Sequence, residues 1–123
     1  MSELVSFKKC KFQAHLYAID CEDDVKSCKN SILSSGKKVS KATHPHICAW
    51  RIGEDSAENG FDDNGETGAG RKLLDLLNKT NADGTLIAVT RWYGGSHLGS
   101  ARFRAIGHCA KLLLSPKGVG GAS

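Results

Sequence analysis

Thr85-Leu86-Ile87-Ala88-Val89 is a continuous apolar run that starts just after the breaker Gly84. A strand of that composition has no polar face to offer water, so it must be covered on both sides. The run leads into Thr90-Arg91-Trp92-Tyr93-Gly94-Gly95-Ser96-His97-Leu98-Gly99, where three glycines and two aromatic rings join it to a following segment. Phe103, Ile106, Ala110 and Leu113 then recur at helical spacing behind Ser100, a good N-cap residue, and predict a helix from about 101 to 114. Free backbone N–H groups at the start of such a helix favour an anion or an acidic partner.

The remaining elements follow from periodicity. Phe12, Ala14, Leu16 and Ala18 alternate along Lys11 to Ile19, the period of a strand with one apolar face. Asp20 can cap the next helix, Glu22, Asp23 and Asp24 suit its positive end, Val25, Cys28, Ile32 and Leu33 form its buried stripe, and Gly36 ends it. A basic loop, Lys37 to Lys41, leads to a strand over Ile47 to Ile52. A helix is predicted over Ala69 to Asn78, with Leu73, Leu74 and Leu77 inward. Strands alternating with helices argue for an α/β two-layer domain over residues 1–114. The tail 115–123, with three glycines and a proline, is expected to be disordered.

Charge is distributed in blocks. Residues 1–51 carry nine Lys or Arg against five acids, residues 52–70 carry none against six, and residues 71–123 carry eight against two. The acidic block, from Glu54 to Glu66, is interleaved with glycines and holds one large apolar residue, Phe61. It reads as a solvated, mobile loop with few core contacts, or as a recognition loop in which Asp62, Asp63 and Glu66 meet a basic partner. Five cysteines form no Cys-x-x-Cys pair and read as reduced thiols, with Cys28 and Cys109 on apolar helix positions. No apolar stretch approaches the roughly 18 residues needed to span a bilayer, and the first residues lack the pattern of a signal peptide. A soluble, cytoplasmic chain with no membrane partner is expected.

Complete catalytic motifs are absent. Gly65 to Lys72 comes close to a phosphate-binding P-loop, but Arg71 stands where lysine is required and Glu66 places a negative charge in the cradle. Were Gly65 the turn glycine of a calcium loop, the first and last ligands would fall on Gly60 and Arg71, neither a carboxylate, which leaves loose magnesium binding as the alternative. His44, His46 and Cys48 alternate and would share one face of a strand, a zinc-compatible set without a fourth ligand. His97 and His108 are available bases, but no Ser or Cys nucleophile is placed beside them by spacing. Neither a cofactor nor a bound metal is expected. Arg91, Trp92 and Tyr93, with Arg102 and Arg104, could stack bases and hold phosphates, or be half-buried rings with snorkelling arginines.

Three stretches taken in order carry a resemblance. They are Lys41-Ala42-Thr43-His44-Pro45-His46-Ile47-Cys48-Ala49-Trp50-Arg51, Asp62-Asp63-Asn64-Gly65-Glu66-Thr67-Gly68-Ala69-Gly70, and the Arg91-Trp92-Tyr93-Gly94-Gly95 turn. Together they resemble the conserved domain of the IMPACT family, YigZ-like in bacteria, over roughly Phe7 to Leu114, and Arg102-Phe103 with Ile106 and Cys109-Ala110 looks closer to the eukaryotic branch. The resemblance implies a mixed sheet with helices mainly on one face, like certain ribosomal-protein and elongation-factor domains. It implies a noncatalytic regulator of translation in the amino-acid-starvation response. Eukaryotic members restrain the starvation-responsive initiation-factor kinase by competing for its activator. They usually carry an RWD domain ahead of this one, and bacterial relatives a further C-terminal domain, for neither of which this chain has room. RNA or ribosome binding and an enzyme of unrecognised class are the alternatives. Expected partner- or anion-binding residues are Arg91, Trp92, Tyr93, Gly94, Gly95 and Arg102, while Thr43, His44 and Arg51 match the family motif without an assigned role. Asn64 interrupts the family's usual Asp-Asp-Gly-Glu and reads as a loop insertion.

Overall fold

The computed structural model describes residues 1–52, 58–95 and 98–122, with backbone alone for 115–122. Its elements are β1 (Val5–Phe7), β2 (Cys10–Ala18), α1 (Asp23–Ser34), α2 (Lys37–Ser40), β3 (His44–Arg51), β4 (Gly60–Asp62), α3 (Ala69–Lys79), β5 (Thr85–Trp92) and α4 (Ala101–Ala122). The five strands form one sheet in the order β1-β2-β5-β3-β4. β5 lies at the centre and is buried from Thr85 to Arg91, as its continuous apolar run requires.

Successive β5 side chains serve opposite faces. Ile87 and Val89 join Phe12, Ala14, Ile47 and Ala49 under α3 and α4, where Leu73, Leu77, Ile106 and Ala110 close the larger core. Leu86 and Ala88 join Cys48 and Ile52 under α1 and α2, which supply Val25, Cys28, Ile32 and Val39. Fully burying a side chain such as Ile87 or Leu73 contributes about 1.5–3 kcal/mol relative to exposure. The expected α/β architecture is therefore present, with α3 and α4 as the larger helical layer and α1 and α2 as a second layer opposite. Every strand pairing among the described residues is antiparallel rather than mixed. β2 and β3 do run parallel, but β5 is inserted between them and pairs with both.

Several local expectations are corrected. β1 and β4 are short strands that periodicity over three residues cannot reveal, and Lys37–Ser40 is a turn of helix rather than a loop. Asp20 does not cap α1; Asp24 reaches back, its carboxylate accepting from the backbone N–H of Asp20 and Cys21 at 2.9 and 3.3 Å. β3 begins at His44, ahead of Ile47, because a register irregularity between His44 and Ile47 accommodates Pro45. In α3, Leu76 is buried with Leu73 and Leu77, while Leu74 is half-buried. α4 runs beyond the expected end at Leu114 to Ala122, through Pro116 and three glycines that disfavour a helix. The acidic segment from Glu58 onward is built into the fold, whereas 53–57 and His97 lie outside the described residues.

One buried histidine has no signature in the sequence pattern. His15, 2 % exposed, lies 2.8 Å from Thr90 Oγ1, and the Thr90 hydroxyl donates to the Pro45 carbonyl at 2.7 Å. Thr90 has one proton, already committed to Pro45, so the histidine must donate through Nε2. Burial, and next the positive N-terminus, lower its pKa to about 4 from an ordinary 6.5. Between those values the unfolded chain binds more protons than the folded one, so stability is full above about pH 6.5 and falls as pH drops toward 4, by on the order of 3 kcal/mol. Urea unfolding at stepped pH should show this loss in the wild type. His15→Gln, which can still donate to Thr90, should lack that portion of it. Identical pH slopes for the two proteins would contradict the assignment.

Candidate functional site

Three segments distant in sequence meet at the end of β5. Arg91 is paired across the sheet with Phe12 on β2 and His44 on β3, so those side chains share one face. The Arg91 guanidinium lies 5.7 Å from the Phe12 ring centroid and donates to Glu66, which the loop before α3 delivers to the same spot. Both residues are buried, at 5 % and 7 % exposure. Arg91 also donates to Cys10 Sγ at 3.7 Å. Burial disfavours its charge, but the bonds to Cys10 and Glu66 outweigh burial and raise its pKa above the ordinary value. Arg91 is therefore an interior cation, not the surface contact expected of it.

Around this pair the loop is tied down residue by residue. Asp63 accepts from the backbone N–H of Gly68 and Gly70 at 3.1 and 2.8 Å, occupying the start of α3 where a P-loop would hold phosphate. Asp62 accepts from Lys29 Nζ at 2.7 Å and from the Asn64 N–H at 2.9 Å; burial opposes its ionisation, yet these partners lower its pKa. Asn64 is not a passive insertion. At φ 47° its side chain accepts from the His46 N–H at 2.8 Å and its carbonyl accepts from His44 Nδ1 at 2.9 Å. That bond assigns the proton to Nδ1 and leaves Nε2 facing Glu66 Oε1 at 3.9 Å.

Arg102, in the first turn of α4, completes the group. Its Nε lies 3.4 Å from Glu66 Oε1, its Nη1 donates to the Gly99 carbonyl at 2.6 Å, and it stacks 4.4 Å from the Phe103 centroid. His44, Glu66, Arg91, Tyr93, Leu98, Gly99 and Arg102 line an open cleft of about 370 Å³. Two guanidinium groups against one carboxylate leave it with excess positive charge, so it can accept an anionic group at its mouth, where Arg102 is 28 % exposed. Tyr93, 44 % exposed, forms the rim, held by a bond from its N–H to Thr43 Oγ1 at 3.0 Å.

Other expected site residues lie elsewhere. Strand alternation turns Trp92 to the opposite face, where its indole donates to the Lys38 carbonyl at 2.9 Å. Arg51 clamps the end of α3, 2.6 Å from Asp83 and bonded to the Leu77 and Asn78 carbonyls, a favourable place for a cation. The irregularity in β3 separates the zinc-compatible set, sending His44 toward Glu66 and His46 to within 3.7 Å of Asp62. Burial pushes the Cys48 thiol up to about 12, which disfavours a thiolate ligand. Of the two turn glycines, only Gly95 has positive φ, at 93°. Gly94 is required by close approach instead, since a Cβ there would lie 2.0 Å from the Lys9 carbonyl oxygen. Cys10 and Asn64 belong to the site without any sequence signal, because nothing in their spacing announces a partner so far along the chain.

The family model described as the Impact N-terminal domain matches residues 8–114. An IMPACT family member of Saccharomyces cerevisiae is 35 % identical, the match covering 95 % of this chain and 90 % of that protein. A protein IMPACT homolog of Caenorhabditis elegans is 37 % identical over 96 % of this chain, and protein IMPACT of Homo sapiens 36 % identical over 92 %. The chain spans only 47 % and 36 % of the length of those two. Among solved structures, a hypothetical protein superposes with TM-score 0.81 at 28 % identity, over 93 % of this chain and 56 % of its own. The two-domain translational regulator Yih1 superposes with TM-score 0.58 at 30 % identity, over 90 % of this chain and 43 % of its own.

Removing one member of a buried ion pair strands the other, at a cost of about 3–5 kcal/mol, whereas replacing both with apolar groups is far milder. Glu66→Ala should lower unfolding free energy by that amount in denaturant melts. The double replacement Glu66→Met with Arg91→Met should recover much of it. Tyr93→Ala should shift stability by less than about 0.5 kcal/mol, as for an exposed residue. A loss below about 1 kcal/mol for Glu66→Ala would show that the pair is not structural.

Proposed function

This chain belongs to the Impact family, and on that premise we propose that it regulates translation in the amino-acid-starvation response. In this reading it binds the activator of the initiation-factor kinase and so restrains the kinase, catalysing nothing itself. The observation that carries the reading is the extent of the family match, which takes in the whole sheet from β2 onward and both helical layers to Leu114. The fold shared with a translational regulator supports the same direction.

The cleft chemistry is consistent with binding rather than turnover. Glu66 is engaged by Arg91 and Arg102, and His44 is locked through Nδ1 to a carbonyl. A general base needs a free lone pair within reach of substrate and a pKa near the working pH. Cys10 is fully buried, with Arg91 and the Gly94 N–H donating to its sulfur. Among the described residues, then, Glu66 and Cys10 are committed to holding the cleft together, while the Nδ1 bond of His44 fixes its ring with Nε2 toward Glu66. No helix among the described residues is long and apolar enough to cross a membrane.

The purified chain should retain the kinase's activator at micromolar concentration, and its overexpression in starved cells should lower phosphorylation of the initiation factor. Absence of both effects, with the protein shown to be folded by circular dichroism, would refute the regulatory reading for this chain.

A further inference from the structure

The outer face of α4 carries two adjoining grooves that the cleft does not use. The first, about 360 Å³, runs between β1 and α4 and is lined by Val5, Phe7, Ala101 and Ala105, with Arg104 and His108 on its border. Arg104 and His108 also border the second, about 190 Å³, which adds Lys72 of α3 and Lys111. The two share a wall, so an apolar trough lies directly beside a row of cationic side chains. Leu112, 39 % exposed, follows Ala101, Ala105 and His108 at helical spacing and extends the apolar line along α4.

The cations of this row are uncommitted. Lys72, Arg104 and Lys111 are exposed, and among the described residues no ion pair engages them. Asp75, the acid of α3, is paired with Arg71 at 3.7 Å. No Asp or Glu follows Asp83 in the chain, so α4 has no acid of its own to neutralise the row. An unneutralised basic row along a helix favours an anionic partner by charge complementarity.

We propose that this paired groove on α4 docks an amphipathic helical segment of a partner protein, its apolar side chains entering the trough between β1 and α4 and its acidic flank meeting Lys72, Arg104 and Lys111. The trough decides for a protein segment over a nucleic-acid strand. A phosphate backbone has nothing to bury against Val5, Ala101 and Ala105, and the Phe7 ring is half-buried in the trough rather than standing out beside the cations to stack a base. A helix that carries leucines at i, i+3, i+4 and i+7 with glutamates beside them satisfies both grooves at once. The inference rests on the regulatory reading only in taking a protein as the ligand, and names the surface that would be used.

Fluorescence anisotropy with a labelled peptide of about 18 residues in that pattern tests the groove, against the same peptide with lysine for glutamate and against a uridine oligomer of similar length. The full chain should bind the acidic peptide at micromolar concentration and neither control. Lys72→Glu with Arg104→Glu and Lys111→Glu should weaken binding at least about tenfold, as should Ala101→Trp, which fills the trough. Melting curves establish that each variant is folded, and backbone chemical-shift changes in the wild type should map to β1 and α4. No binding, equal binding by the folded variants, shifts confined to another surface, or preference for the uridine oligomer would overturn the proposal. If the kinase's activator binds the wild type and the charge-reversed variant alike, the groove inference fails while the regulatory reading stands. Peptide binding at the groove without activator binding leaves the groove inference standing while the regulatory reading fails.

Discussion

Glu66 and Arg91 are ionised groups taken out of water, and such groups persist inside a protein only when each is paired with opposite charge. The loop between β4 and α3 must therefore close over the end of β5, which places Asp63 at the start of α3, Asn64 against β3 and Arg102 at the rim. Without the pair, nothing apolar in that loop would hold it there, because residues 63–68 include no apolar side chain. A glycine-rich, acidic segment thus acquires a defined path through charge rather than packing.

That constraint works because β5 is central. Its side chains alternate between two cores, and Arg91 falls on the face occupied by α3 and α4, beside Phe12 and His44. A shift of one residue would turn Arg91 toward α1 and bring Trp92 to the cleft. The register is locked on both sides by β2 and β3, and the turn beyond it by the approach of Gly94 to the Lys9 carbonyl. The polar chain from His15 through Thr90 to Pro45 crosses the same three strands one position away.

The charges divide accordingly. Asp62, Asp63 and Glu66, which in sequence suggest an exposed acidic surface, are each engaged within the fold. Lys72 on α3 and Arg104 and Lys111 on α4 have no such internal partners and remain at the surface. The described residues consequently present basic ground along α3 and α4.

Periodicity and composition determined much by themselves. The buried central strand, the apolar stripes of α1 and α3, and the reduced, mostly buried cysteines were legible because each is a local pattern whose physical consequence does not depend on a distant partner. Arg91, Glu66, His44 and Arg102 were legible as individuals, through motifs and family resemblance, but not as a cluster. Which of them is buried depends on strand register, and that is set by pairing between segments tens of residues apart. Asn64 reads as an insertion until its φ and two hydrogen bonds are seen, and Trp92 reads as a partner of Arg91 until strand alternation separates them. Only the tertiary structure decided these points, because the fate of a charged side chain is settled by what the fold brings opposite it, and a linear sequence does not specify that neighbour.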